Sequence, residues 1–340
     1  IYQYDLINQI SFKNIDNLNQ IGKLLGYGAY NTGALDAINK ISTEDFDGPD
    51  GFSTFGSKKD WRWCNYSSQT ITACTFNPRL AYQRGKTMGQ EGLSNNVQGL
   101  YAPAMNLHRS PFGGRNAEYI SEDPVMSGII SANIMSGAAD GGIYTYMKHF
   151  ALNEQESNRQ DMVMTWANEQ VIRELYLKPF EIAVKEGGAN AIMSAFNRIG
   201  SVNCYYSYSL LTRILRQEWG FKGVVITDYG CGNPTSLIRS GNDIKLFPND
   251  SYADLKENNA VDVYCGVQAI KNSLYAYCST YYTAKTYDPT VTITVTQRIQ
   301  PFRWWIPTVV GLNVLVLGGI GFLTYKVIKS ILKYNKEEDK

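Results

Sequence analysis

Histidine is scarce in this chain. Only His108 and His149 occur in 340 residues, so any chemistry that needs an imidazole falls on one of the two. Among the six cysteines (64, 74, 204, 231, 265 and 278) no pair has CxxC spacing, which argues against a zinc ribbon or a thioredoxin-like centre. Their spacing leaves open whether any of them pair as disulfides. No GxGxxG or Walker sequence follows a strand-like run, which removes the usual phosphate loops of doubly wound sheets. Charge is sparse as well: Asp, Glu, Lys and Arg make up 19% of the chain and the formal net charge is +1. Nucleic acid is therefore not expected as a main partner. There is no initial methionine and no visible signal peptide. A chain that starts at Ile1 is expected to be processed or truncated, with an upstream part that belongs to the working protein.

The most informative stretch present is Gly220–Gly230, GFKGVVITDYG. Gly223 to Thr227 is a short β-branched apolar run of the kind buried on both faces of a parallel sheet. Asp228 stands where that strand leaves the core, with Tyr229 and Gly230 behind it. A carboxylate on a rigid strand end beside an aromatic ring suits attack on a sugar carbon. Capping of the following helix is the plain alternative.

Strand-like and helix-like segments alternate elsewhere. Leu18, Ile21, Leu24 and Leu25 fit one helix face ending at Gly26, and 47–51 (DGPDG) reads as a turn. A helix is expected within 73–91, with Leu80, Arg84 and Met88 at four-residue steps. Strand 97–107 follows, then a helix capped by Ser121 and running to Gly137. Strand 142–147, helix 168–185, strand 189–193 and helix 209–218 lead to the VVIT strand. A short strand in 238–246 and a helix over 261–277 complete the series. Polar residues gather where strands meet the following helix: Asn106 and His108, Lys148 and His149, Ser194 and Asn197, and Asp228. This pattern predicts an α/β fold of the TIM-type (β/α)8-like barrel, in which such strand ends share one rim.

Near the C-terminus the chain changes character. An extended linker is expected over 286–303. Then Trp304 to Tyr325 is almost wholly apolar, and Lys326, Lys329, Lys333 and Lys336 lie just beyond. Twenty helical residues at about 1.5 Å each reach the roughly 30 Å of a bilayer core. Flanking aromatics and lysines favour a single transmembrane helix (304–325) with a basic cytoplasmic tail (326–340) over a buried core helix. Residues 1–285 would then form an extracellular barrel domain on the cell membrane.

Five segments carry a family resemblance: NLHRSPFGGRNAEYISEDPVMSG (106–128), KHFALNEQESNR (148–159), IRELYLKPFE (172–181), IMSAFNRIG (192–200) and LLTRILRQEWGFKGVVITDYG (210–230). In order and spacing they resemble glycoside hydrolase family 3, over roughly residues 40–250. The stretches TACTFNPRLAYQRGKTMG and SGNDIKL look most like the subgroup in which a sandwich domain precedes the barrel. The resemblance implies a retaining exo-β-glycosidase of the β-glucosidase type, needing no metal or organic cofactor. It makes Asp228 the nucleophile and gives Asp47, Arg115, Lys148, His149 and Arg159 the sugar in subsite −1, with Met193 and Tyr229 beside them. Singly, Arg115 or Lys148 would more often be a structural ion pair and His149 a bonded core histidine; their convergence on one rim would reverse that. Nearby cations would also keep Asp228 ionised.

Two positions depart from the family pattern. Tyr229 stands where the family commonly has Trp, and Phe196 where a Tyr hydroxyl commonly bonds the nucleophile. The missing bond would be worth about 1.5–3 kcal/mol, a ten- to hundredfold slowing. No histidine follows His149 in its loop, which excludes the loop-histidine acid/base of one-domain members. The acid/base is expected on a sandwich domain supplied by the upstream part or by another chain; Glu154 and Glu156 are not assigned it. A membrane-tethered sugar-binding protein with little or no turnover is the alternative, and a structural surface protein that retains only the fold is a further one.

Overall fold

A computed structural model of the protein describes residues 31–32, 42–53, 63–160, 163–247, 255–256, 258–280 and 305–338. The chain divides into two units, Ile1–Val291 and Thr292–Lys340. The helix expected at 18–25 and the linker at 286–303 lie outside the described residues.

In the first unit one sheet runs in the order β1 (Asn31–Thr32), β2 (Thr43–Asp47), β3 (Gly99–Tyr101), β4 (Tyr144–Phe150), β6 (Ala191–Ser194) and β9 (Val224–Thr227). The β1–β2 pair is antiparallel, and all pairs from β2 to β9 are parallel. A parallel bridge from Ile226 to Ile244 adds one more rung. Between the parallel strands run α1 (Gln69–Cys74), α2 (Pro78–Ser94), α3 (Pro124–Asp140), α4 (Lys178–Glu186) and α5 (Ser209–Glu218). After β9 come α6 (Pro234–Ser240) and α7 (Ala260–Tyr277). A small sheet of β5 (Met164–Thr165), β7 (Arg198–Ile199) and β8 (Val202–Asn203) lies apart. The fold is thus α/β and barrel-like, a curled parallel sheet under helices. Closure into eight strands is not seen among the described residues.

Period-two alternation builds two apolar layers. Tyr144, Tyr146, Ala191, Met193, Val224 and Ile226 fill the one inside the sheet. Met147, Phe150, Ile192 and Val225 join Ile134, Phe180, Leu211 and Leu215 beneath the helices. Burial on both faces is why β6 and β9 read as unbroken apolar runs. Inside the sheet Asp45 accepts hydrogen bonds from the hydroxyls of Tyr144 (2.6 Å) and Tyr146 (3.0 Å). Position 99 must be glycine there, because a Cβ would stand 2.2 Å from the Asp45 carboxylate.

Several expected boundaries move. The 73–91 helix divides at Asn77, which caps α2 through Leu80 N, and Leu80 itself is exposed while Arg84 and Met88 are buried. Strand 97–107 keeps only Gly99–Tyr101, beyond which Ala104 makes a single parallel bridge to Lys148. Asp123 rather than Ser121 caps α3, and Ser121 Oγ accepts from Asp123 N instead. Residues 238–246 form no strand: Ile238 belongs to α6, and Ile244 makes only its bridge.

The second unit holds α8 (Trp305–Glu338). Within it Pro307–Ile331 is exposed along its length and is long and apolar enough, by length and composition, to cross a membrane. The helix continues past Tyr325. It runs on through the lysines, which are good helix formers.

Candidate active site

The parallel strands and the loops after them deliver side chains to the same end of the sheet. Asp47 ends β2, Lys148 and His149 lie near the end of β4, Met193 is in β6, and Asp228 follows β9. The loop after β3 brings in Arg115, and the loop after β4 brings in Arg159. With Tyr229 these make eight expected residues, and together with Tyr101 and Leu246 they line one cavity of about 290 Å³. Other polar strand-end residues serve the frame. Asn106 holds the His149 peptide from both sides (3.0 and 2.8 Å), Ser194 Oγ donates to Asn242 Oδ1 (2.9 Å), and Asn197 Nδ2 donates to Ala151 O (3.1 Å). His108 does not line the cavity.

A carboxylate that the sequence reading passed over ties the cations together. Glu118 accepts two bonds from Arg115, at 2.6 and 2.8 Å, and lies 3.1 Å from Lys148 Nζ. Burial alone would raise its carboxyl, but Lys148 and Arg115 outweigh that and hold it at about 2. Burial of Lys148 opposes its charge, yet Asp47 at 2.7 Å and Glu118 keep its pKa above the ordinary value. The signal for Glu118 was its place three residues after Arg115 in GGRNAE, the spacing of one helical turn.

His149 is fully enclosed. Burial first, then Arg115, Lys148 and Arg159, drives its pKa well below the usual value, so the ring is neutral. Arg115 Nη1 lies 3.0 Å from Nε2. A guanidinium only donates, so Nε2 accepts and the proton sits on Nδ1. The approach of Nε2 to Asp228 Oδ2, at 3.7 Å, is therefore not an ion pair.

Asp228 is buried with one edge on the cavity. Tyr229 N donates to Oδ1 at 2.8 Å, and Arg159 Nη1 reaches Oδ2 at 3.4 Å. Arg159 is held in turn by Glu156 (3.2 Å) and by the face of Phe196, 4.6 Å away. Contrary to the expectation that cations dominate here, burial has the largest effect and the Asp228 pKa lies above the ordinary carboxylate value. Arg159, the Tyr229 amide, Lys148 and Arg115 only moderate it. Glu154 and Glu156 do not line the cavity. Burial pushes Glu154 up to about 7 where it accepts from Leu107 N, and Glu156 pairs with Arg159. Among the described residues the carboxylates on the cavity wall are thus Asp47 and Asp228.

A parallel barrel-like sheet with its polar groups collected at the C-terminal strand ends is the layout of a barrel-type catalytic domain. The sequence model described as "Glycosyl hydrolase family 3 N terminal domain" matches residues 65–261, and the chain belongs to that family. It is 38% identical over 246 residues to β-glucosidase A of Butyrivibrio fibrisolvens, covering 71% of this chain and 29% of that protein. A β-glucosidase of Rhizobium radiobacter is 33% identical over 229 residues, covering 67% and 28%. The structure of β-glucosidase 3B from Thermotoga neapolitana in complex with α-D-glucose superposes with a TM-score of 0.70 at 29% identity, over 82% of this chain and 43% of that one. The chain thus spans under a third of the length of these two curated relatives.

Proposed function

We propose that this chain is the barrel part of a β-glucosidase-type hydrolase that removes terminal non-reducing β-linked sugars with retention. The relatives named β-glucosidase support the reaction class. The observation that carries the reading is that Asp228 shares one small cavity with Asp47, Arg115, Lys148 and Arg159. Asp47 offers acceptors and the cations offer donors, a match for the hydroxyls of a sugar ring. In the first step an Asp228 oxygen bonds the anomeric carbon while the bond to the leaving oxygen breaks. That oxygen takes a proton from a second carboxyl. Among the described residues the other carboxylate on the wall, Asp47, is engaged by Lys148, and the reading assigns the acid/base to a further domain, in the same protein or on another chain. In the second step the same group takes a proton from water as the water oxygen bonds the anomeric carbon and the bond to Asp228 breaks, which releases the sugar and restores the carboxylate. The apolar helix would hold this domain outside the cell membrane, with the lysine-rich end in the cytoplasm.

An aryl β-glucoside with a very acidic phenol tests the first step alone, because such a group leaves without being protonated. The full protein is expected to release a burst of phenol equal to its concentration and to carry a glycosyl adduct on the peptide holding Asp228. Asp228→Asn should give neither. Sugar binding without burst or adduct would instead establish a binding protein, a reading favoured by Phe196, which offers Asp228 no hydroxyl.

A further inference from the structure

A second cavity, of about 340 Å³, opens between α5, α6 and α7 and shares no lining residue with the first. It lies at the opposite end of β9 from Asp228. Its floor residue Asp243 accepts from Val225 N, and Arg216 donates to Gly223 O, both at the start of that strand. Two tyrosines form its walls, Tyr208 and the largely exposed Tyr264.

Of its lining cations Arg216, Lys222 and Arg239, the two arginines are paired with carboxylates. Arg216 Nη2 lies 2.6 Å from Asp243, and Arg239 pairs with Asp262 at 2.6 Å. Asp243 is buried and also accepts from Asn272, at 2.9 Å. That leaves neither a cation cluster for an anion nor an open carboxylate for a metal ion. What is unspent is neutral hydrogen-bonding capacity. Among the described residues Gln217 and Gln268 make no side-chain hydrogen bond, the Asn272 carbonyl accepts none, and Arg216 Nε is buried without an acceptor. Donors and acceptors together, in a cavity with aromatic walls whose arginines are already paired, fit a ligand rich in hydroxyls and without charge. Its volume is close to that of the cavity holding Asp228.

We infer that the cavity between α5, α6 and α7 is a second, non-catalytic site for one unit of a neutral saccharide, which tethers a longer β-linked substrate while its end is cut. The tethering role rests on the proposed glycosidase activity; the binding does not. Affinity electrophoresis of the full detergent-solubilised protein in gels containing a soluble β-glucan tests it. The native protein and Asp47→Ala, altered only in the first cavity, should both be retarded, and salt should not reverse this. Tyr264→Ala and Gln268→Ala should bind about tenfold more weakly, the scale of one lost aromatic or polar contact. Their phenol burst and Asp228 adduct should stay unchanged. Equal retardation of Tyr264→Ala and the native protein, or no retardation of the native protein, overturns the inference. Retardation that depends on Tyr264 but comes without burst or adduct upholds the site and removes the glycosidase reading. A burst without retardation does the reverse.

Discussion

Replacing Glu118 by Gln removes the one carboxylate shared by Arg115 and Lys148 while keeping its shape. Lys148 is almost fully enclosed and would retain only Asp47, whose side chain is 45% exposed. Arg115 would retain Glu156, at 3.6 Å. Holding the Glu118 carboxyl at about 2 rather than its ordinary 4.5 is worth about 3 kcal/mol at neutral pH. That matches the roughly 3–5 kcal/mol lost when one partner of a buried pair is removed. The folded-state value is depressed, so the contribution is complete above about pH 4.5 and fades as pH falls toward 2. Urea unfolding of the native protein and the variant, repeated from pH 7 downward, should show a gap of about 3 kcal/mol at neutral pH that closes across this window. The burst with an activated aryl glucoside should slow as well, since both cations would lose their fixed positions. A gap below 0.5 kcal/mol at pH 7, or one that persists unchanged to pH 2, would falsify the assignment of Glu118 as the anchor of the two cations.

Further expectations follow from the neighbouring contacts. Asp228 must be ionised to attack, and burial raises its pKa, so the acidic limb of the burst rate should lie above the ordinary aspartate range. Arg159→Ala should move that limb further up; a limb that stays put removes Arg159 from the control of Asp228. Phe196→Tyr keeps the ring under Arg159 and restores the hydroxyl that the family pattern sets against the nucleophile, so the burst should quicken by about ten- to a hundredfold, whereas Phe196→Leu, which removes the ring face, should slow it. Equal rates for native, Tyr and Leu proteins would leave Phe196 without a role. The chain ending before residue 305 should stay in solution when mixed with lipid vesicles, while the full chain floats with them; flotation of both would show that the apolar helix is not the anchor.

The elements that could be read in advance are those whose burial is dictated by their own sequence. The VVIT and AIMS runs are apolar on both faces, and they became β9 and β6 within two residues of the expected limits. Helix α5 was legible at both ends, with Leu211 and Leu215 inward and Gly220 at positive φ just beyond. Reading failed where a partner distant in sequence decides. Leu80 fits the periodic face of α2, yet packing places it outward. Residues 238–246 look strand-like, but the Asn233 cap and the left-handed Gly241 make the first part a helix.

The site divides along the same line. Asp228, Lys148 and His149 were legible because polar residues ending apolar strands have no packing reason to be there. Glu118 has no such mark. It sits in a loop among polar neighbours beside Arg115, and its importance arises only once β4 brings Lys148 to its other side. The electrostatic outcome was hidden for a related reason. Cations near Asp228 could be named from sequence, but how deeply the carboxyl is enclosed could not, and enclosure has the larger effect. A nucleophile raised in this way is less often ionised but more reactive when it is. On the proposed mechanism the cations around it matter less for ionising Asp228 than for fixing the sugar against it.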